Sequence, residues 1–308
     1  MRSEVARAVA VAAATLLLSI RPAARAAEPA PGAGGPAAPA AALTAEQIVE
    51  KSAQARGGLE AWRKLEAILW KGHLESDRLP ERNVRFELTE KRPNMTRFEI
   101  VNPAEKSLRV FDGRRGWKMR PGRDGLPTVQ AYSPMEVRYA REAPGLDGPL
   151  IDFALKGKSV ELDGREAIDG RDCYRLVVRL ASGEKQTVWV DAQTFLETRY
   201  DRVTYDENGP RGIVSQFYRD YRVVEGLAMP SVIEISGRGA EKRDRMLIEQ
   251  VALNPKIADL AFSRPPGAPR GAEVTLEAPP MPRWPQGQAG REQTMPPAVA
   301  PASGSAAP

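Results

Sequence analysis

Asn83 to Val101 reads NVRFELTEKRPNMTRFEIV, and the fold turns on this stretch. Val84, Phe86 and Leu88 alternate with Arg85, Glu87 and Thr89. After Lys91-Arg92-Pro93-Asn94 the alternation resumes, with Phe98 and Ile100 set against Arg97 and Glu99. Successive side chains of a strand point to opposite faces, so this period of two separates an apolar face from a charged one. Pro93 has no N–H to give to a ladder, so the break there is a turn. The stretch is therefore two antiparallel strands sharing one apolar face. That face needs a cover, either the chain's own core or a ligand.

Upstream, Trp70, Gly72 and Leu74 alternate with Lys71, His73 and Glu75 in another strand. Before it, Thr44-Ala45-Glu46-Gln47 has the form of a capping box, in which the Thr hydroxyl meets a free backbone N–H and Gln47 reaches back. Ile48, Val49, Ser52 and Ala55 follow at helical spacing, and Gly57-Gly58 ends the run. Helices are expected over Thr44–Arg56 and Leu59–Ala67. Downstream, Asp112-Gly113, Asp163-Gly164, Asp169-Gly170 and Asn208-Gly209 are tight-turn pairs, because Gly accepts positive φ without steric cost. They punctuate strands near Leu108–Phe111, Gly116–Arg120, Val160–Ile168, Tyr174–Leu180, Thr187–Val190, Phe195–Thr204, Ile213–Val224, Pro230–Gly237 and Arg245–Leu253. From Ser133 to Lys156 the spacing of Met135, Tyr139, Ala143, Leu150, Ile151 and Leu155 suits helix or loop, and this segment is expected to lie across a sheet face. The fold class is mainly β with a few helices, α+β.

The ends of the 308-residue chain read differently from its middle. Arg2 and Arg7, the apolar run Ala8–Ile20 and Ala24-Arg25-Ala26 have the order of a secretory signal peptide, expected over residues 1–26. The run is short for a membrane anchor. No cysteine stands near the cleavage site, so no lipid anchor is expected, and the reading is a soluble periplasmic protein. Residues 27–42 are an Ala/Pro/Gly linker, 43–266 the folded domain, and 267–308 a Pro/Ala/Gly-rich tail expected to be disordered. Trp284 is the one large aromatic of that tail. The formal charge of +5, from 45 Lys and Arg against 40 Asp and Glu, is spread along the strands. It reads as a solvated basic surface, not a nucleic-acid site.

Catalytic machinery is not legible. His73 is the single histidine and Cys173 the single cysteine. His73 falls on the polar side of its strand, and Cys173 sits in a strand pattern as a small core residue. The nucleophile-elbow, zinc-protease, dithiol and phosphate-loop motifs are absent from the sequence. No catalytic residue, metal site or cofactor is expected, and an enzyme is the least favoured reading.

Several segments taken in order carry a family likeness. They are Arg56-Gly57-Gly58-Leu59-Glu60-Ala61-Trp62, Trp70-Lys71-Gly72, Arg92-Pro93-Asn94 with Arg97, and Phe111-Asp112-Gly113-Arg114-Arg115-Gly116-Trp117. Val190-Asp191-Ala192-Gln193-Thr194-Phe195-Leu196, Tyr221 to Pro230, and Leu253-Asn254-Pro255 with Phe262 complete the set. Their order resembles the bacterial outer-membrane lipoprotein-sorting proteins, the LolA/LolB-like superfamily, from about Leu43 to Pro266. The resemblance implies a strongly curved antiparallel sheet, an unclosed barrel, with helices on its concave face and acyl chains held between the two. On that expectation the apolar face becomes a ligand site, with Trp70, Leu74, Phe86, Leu88, Phe98, Ile100, Val110 and Trp117 as its candidate lining. The expected partners are lipid or lipoprotein acyl chains and an inner- or outer-membrane partner protein. The alternative is a regulatory or scaffolding module whose sheet edge or Pro-rich tail binds a protein.

Overall fold

The computed structural model describes residues 42–77, 83–101, 107–122, 126–206, 209–237 and 243–267. The expected signal segment, most of the expected linker, the tail with Trp284, and Asn208 of the Asn208-Gly209 turn lie outside the described residues.

Two helices come first, α1 (Ala45–Ala55) and α2 (Leu59–Arg63). The Thr44 capping box is formed, with the Gln47 N–H donating to the Thr44 hydroxyl and the Gln47 side chain accepting from the Thr44 N–H. Gly57 and Gly58, both at positive φ, turn the chain between the helices. A side chain at Gly57 has no room, because its Cβ would lie 2.3 Å from the Gly226 carbonyl oxygen. α2 is shorter than its apolar spacing suggested, since Ala67 already belongs to the sheet.

The strands follow as β1 (Ala67–Glu75), β2 (Asn83–Lys91), β3 (Met95–Val101), β4 (Ser107–Phe111), β5 (Gly116–Pro121) and β6 (Pro127–Ala131). Helix α3 (Pro134–Glu142) interrupts them, and β7 (Ser159–Ile168), β8 (Arg171–Arg179), β9 (Lys185–Asp191), β10 (Glu197–Asp206), β11 (Gly209–Val224), β12 (Leu227–Gly237) and β13 (Asp244–Leu253) complete the sheet. The order is β6-β5-β4-β3-β2-β1-β13-β12-β11-β10-β9-β8-β7, antiparallel throughout. Two meanders are thus joined at the β1–β13 seam, where Ile68 stands opposite Leu253 and Glu75 opposite Arg245. The sheet is not closed into a barrel.

Its curvature follows from α3. This helix packs on both β5 and β10, which stand eight strands apart in the sheet. At about 4.8 Å per strand a flat sheet would separate them by about 38 Å. A nine-residue helix spans only about 14 Å, so the sheet must curl round it.

Asp163-Gly164 is not the hairpin turn its composition suggested. It lies inside β7, where the pairing to β8 slips between Leu162 and Arg165. Gly164 at φ 96° supplies the positive φ that such a bulge uses.

The concave face carries two apolar clusters under the helices. α1 brings Ile48 and Val49 onto Val160, Leu176, Val178, Val188 and Tyr200 of β7–β10. α2 and the segment after α3 bring Trp62, Leu65, Leu146 and Ile151 onto Ile68, Trp70, Phe86, Met229 and Ile248. The convex face has its own cover near β3–β6. There Val110 and Trp117 pack beneath Phe262, from the short 3-10 turn Asp259–Phe262.

Candidate functional site

The cross-strand register decides which candidate residues share a wall. Trp70 stands opposite Leu88, Leu88 opposite Phe98, Phe86 opposite Ile100, and Leu74 opposite Val84. Trp70, Leu74, Phe86, Leu88, Phe98 and Ile100 therefore lie together on the concave face, in one cluster with α2. Val110 and Trp117 do not. Phe98 opposes Arg109 and Arg97 opposes Val110, so β4 turns Arg109 inward and Val110 outward. Val110 and Trp117 are fully buried under Phe262 on the far side of the sheet. Alternation within β4 and β5 was visible in the sequence, but the face it referred to depends on the β3–β4 register, which is a tertiary fact.

Burial is uneven across the concave cluster. Trp62 and Phe86 are each 1 % exposed and Ile68 is fully buried. Leu88, Phe98, Ile100, Ile233 and Ile235 are only half-buried, and Phe86 and Phe98 stack with ring centroids 6.0 Å apart. Ile233 and Ile235 were legible as an alternation with Glu234 and Ser236 in β12. They faced no identifiable partner in sequence because β12 reaches β1 only through β13.

Buried charge fastens the cover. Asp147, after α3, takes a bidentate pair from Arg92 at 2.9 and 2.5 Å and a third contact from Lys156 at 2.9 Å. Burial alone would raise its pKa, but Arg92 and Lys156 overcome that and hold it below the usual carboxylate range. Arg92 also donates to the Leu65 and Trp62 carbonyls, so the β2–β3 turn grips the end of α2. Arg56 donates to Glu197 at 3.2 Å and to the Asp147 carbonyl at 2.9 Å, and lies 4.0 Å over the Trp62 ring. Burial raises the Glu197 pKa against the pull of Arg56. Burial also lowers Lys158, beside Lys156, to about 8. No local sequence pattern announced this network, because its members come from five separate segments.

Glu90 belongs to the same wall. It stands opposite Ile68, accepts a hydrogen bond from the Trp70 indole at 3.2 Å, and has its pKa raised to about 7 by burial and then by Asp147. His73 lies on the opposite face, with Nδ1 2.7 Å from Glu249. Cys173 is fully buried among Ile168, Trp189 and Phe217. A separate shallow cleft of about 550 Å³ opens beside β13, and it mixes Lys71, Arg222 and Glu249 with Leu69, Val224 and Val251. It includes none of the eight candidate residues. No helix among the described residues is long and apolar enough to cross a membrane.

Fold and site define a class: an open, curled antiparallel sheet whose concave apolar wall is only partly covered by helices. No family model matches the sequence, and neither does any curated protein. Solved structures are similar. A LolA superfamily protein from Nitrosomonas europaea matches at 17 % identity and TM-score 0.47, over 72 % of this chain and 99 % of that one. A DUF1329 family protein from Desulfovibrio piger matches at 14 % and 0.45, over 71 % and 97 %. A domain described as an outer membrane lipoprotein-sorting protein, from Vibrio parahaemolyticus, matches at 13 % and 0.44, over 71 % and 95 %.

Proposed function

We propose that the protein is a soluble periplasmic carrier or binding protein for lipid or lipoprotein acyl chains, which lie between the concave sheet and its covering helices. The observation that carries the reading is the unevenly covered wall. One continuous apolar surface is closed at Trp62 and Phe86 and only half-buried at Leu88, Phe98, Ile100, Ile233 and Ile235. A row of large side chains left in partial contact with water gains free energy when a chain covers it, about 0.8 kcal/mol per CH₂ buried. A single long chain is therefore enough for useful affinity, and it leaves again without chemistry. The role is binding, with no catalytic step.

Native mass spectrometry of the protein purified without detergent tests this. The expected result is a co-purifying acyl lipid, with occupancy reduced in Ile100→Trp, whose larger ring fills the proposed volume at a folding cost of about 1–3 kcal/mol. A wild-type protein that is empty and takes up no added acyl chain would refute the reading.

A further inference from the structure

Beneath α3 the concave wall changes from apolar to cationic. Arg109 stands directly opposite Lys118 across β4 and β5, and Arg120 follows two residues along the same face of β5. Like charges set opposite each other in a sheet repel, so their placement needs an answering charge. Glu136 of α3 gives part of it, accepting from Lys118 at 2.8 and 2.9 Å. Burial would raise the Glu136 pKa, but Lys118, the Ser133 N–H and Arg109 together hold it below the usual range.

The same helix face meets the other wing of the sheet. Tyr139 lies three residues from Glu136, so the two are neighbours on α3. The Arg202 guanidinium of β10 sits 4.1 Å over the Tyr139 ring. The other α3 carboxylate, Glu142, is taken by Arg138 at 3.1 Å. Among the described residues, Arg109, Arg120 and Arg202 are thus left without a carboxylate ion pair. Arg109 meets the Tyr132 phenol, and the buried Nε of Arg202 has no acceptor. Burial and the neighbouring Arg109 both press the Arg120 pKa down, as expected for a cation placed among cations.

The apolar row runs into this cluster. Arg109 is the cross-strand neighbour of Phe98, and Ser107 that of Ile100. We propose that the groove takes an amphiphile with an oxyanion head, a carboxylate or a phosphate, whose chain lies over Phe98 and Ile100 and whose head is held by Arg109 and Arg120, with Arg202 facing it from the opposite wing. Guanidinium suits this task, because its planar fork matches both oxyanions with two parallel hydrogen bonds. The inference rests on the acyl-chain reading and adds the chemistry of the head.

The test uses the full chain and matched probes: a fluorescent long-chain fatty acid, its methyl ester, and lysophosphatidic acid as competitor. Wild-type protein is expected to bind the acid at least about tenfold more tightly than the ester, with lysophosphatidic acid displacing both. Arg109→Gln with Arg120→Gln should erase the preference and leave the ester affinity within about twofold, while Arg120→Lys keeps most of it. If the double variant fails to fold in a thermal melt, Arg120→Gln alone carries the test, since the Arg120 side chain has no hydrogen-bond partner among the described residues. Equal affinity of acid and ester in the wild type, or a parallel loss of both in the variants, overturns the head site while leaving the acyl-chain reading in place. Binding of inorganic phosphate with no affinity for any chain-bearing probe overturns the amphiphile. If no probe binds, the acyl-chain reading fails, and this inference with it.

Discussion

Glu90 is a carboxyl group in an apolar wall, and its titration has a definite sign. Its pKa rises from 4.5 to about 7 on folding, first through burial and then through Asp147, with the Trp70 indole opposing. Between those values the folded state keeps a proton that the unfolded state has released, so stability falls as pH rises across that window. The contribution is full below pH 4.5 and lost above about 7, and the shift sets its size at no more than about 3 kcal/mol. Glu90→Gln should remove it. Urea melts at pH 5 and pH 8 should show a smaller loss of stability in the variant than in the wild type. An identical loss in both would show that Glu90 ionises in the folded protein as freely as in water. Glu197 is also raised by burial and works in the same direction, so the comparison must be variant against wild type and not pH against pH. None of this was legible in the sequence. Glu90 sits where the alternation of β2 calls for an inward residue, and it is an inward carboxyl held by Trp70.

Elements were more legible than the site they form. The alternation of Asn83–Val101 located β2, β3 and the turn between them, because one face of each strand is apolar and a slip by one would expose it. The Thr44 capping box located the start of α1. The equivalent box at Ser133-Pro134-Met135-Glu136, which starts α3, lay inside a segment read only as helix or loop. β6 was missed, since Pro127–Ala131 is short, exposed and not apolar. The β1–β13 seam could not be read at all, because it pairs residues about 180 positions apart and rests on a bulge between Lys71 and Gly72. Gly72 is what permits that bulge: a Cβ there would lie 1.8 Å from the Leu247 carbonyl oxygen, a backbone atom that cannot step aside. Gly72→Ala should therefore shift β1 against β13. Loss of stability of several kcal/mol in a denaturant melt is expected, beyond the roughly 1 kcal/mol that a propensity change explains. An alanine variant as stable as the wild type would mean that the seam can relax without that glycine.

At the scale of the whole molecule the sheet is open, and its two edges are not equivalent to an entrance. β7 is blunted by the Asp163-Gly164 bulge and by Glu161, Arg165 and Glu166, and β6 is five residues long and begins with proline. Both features discourage the addition of another strand. The expected place of opening is α3, which is held to one wing by the Lys118–Glu136 pair and by Asn94 donating to the Arg141 carbonyl. It is held to the other by Arg202 on Tyr139 and by Gln186 donating to the Glu142 carbonyl at 3.2 Å. Each tie is a polar or cation–π contact, worth about 0.5–2 kcal/mol, and no large apolar area fastens the helix. The single buried hydrophobic residue of α3 is Val137. Such ties are expected to give way before the Arg92–Asp147 and Arg56–Glu197 pairs that fasten α2 and the segment after α3. Tyr139→Ala should cut one wing's tie without touching the apolar wall. The expected outcome is a several-fold faster dissociation of a fluorescent acyl probe in stopped-flow displacement, with equilibrium affinity changed much less because entry accelerates too. Dissociation at the wild-type rate would place the exit elsewhere. A rise in dissociation rate matched by an equal loss of affinity would make Tyr139 part of the binding wall instead of the gate.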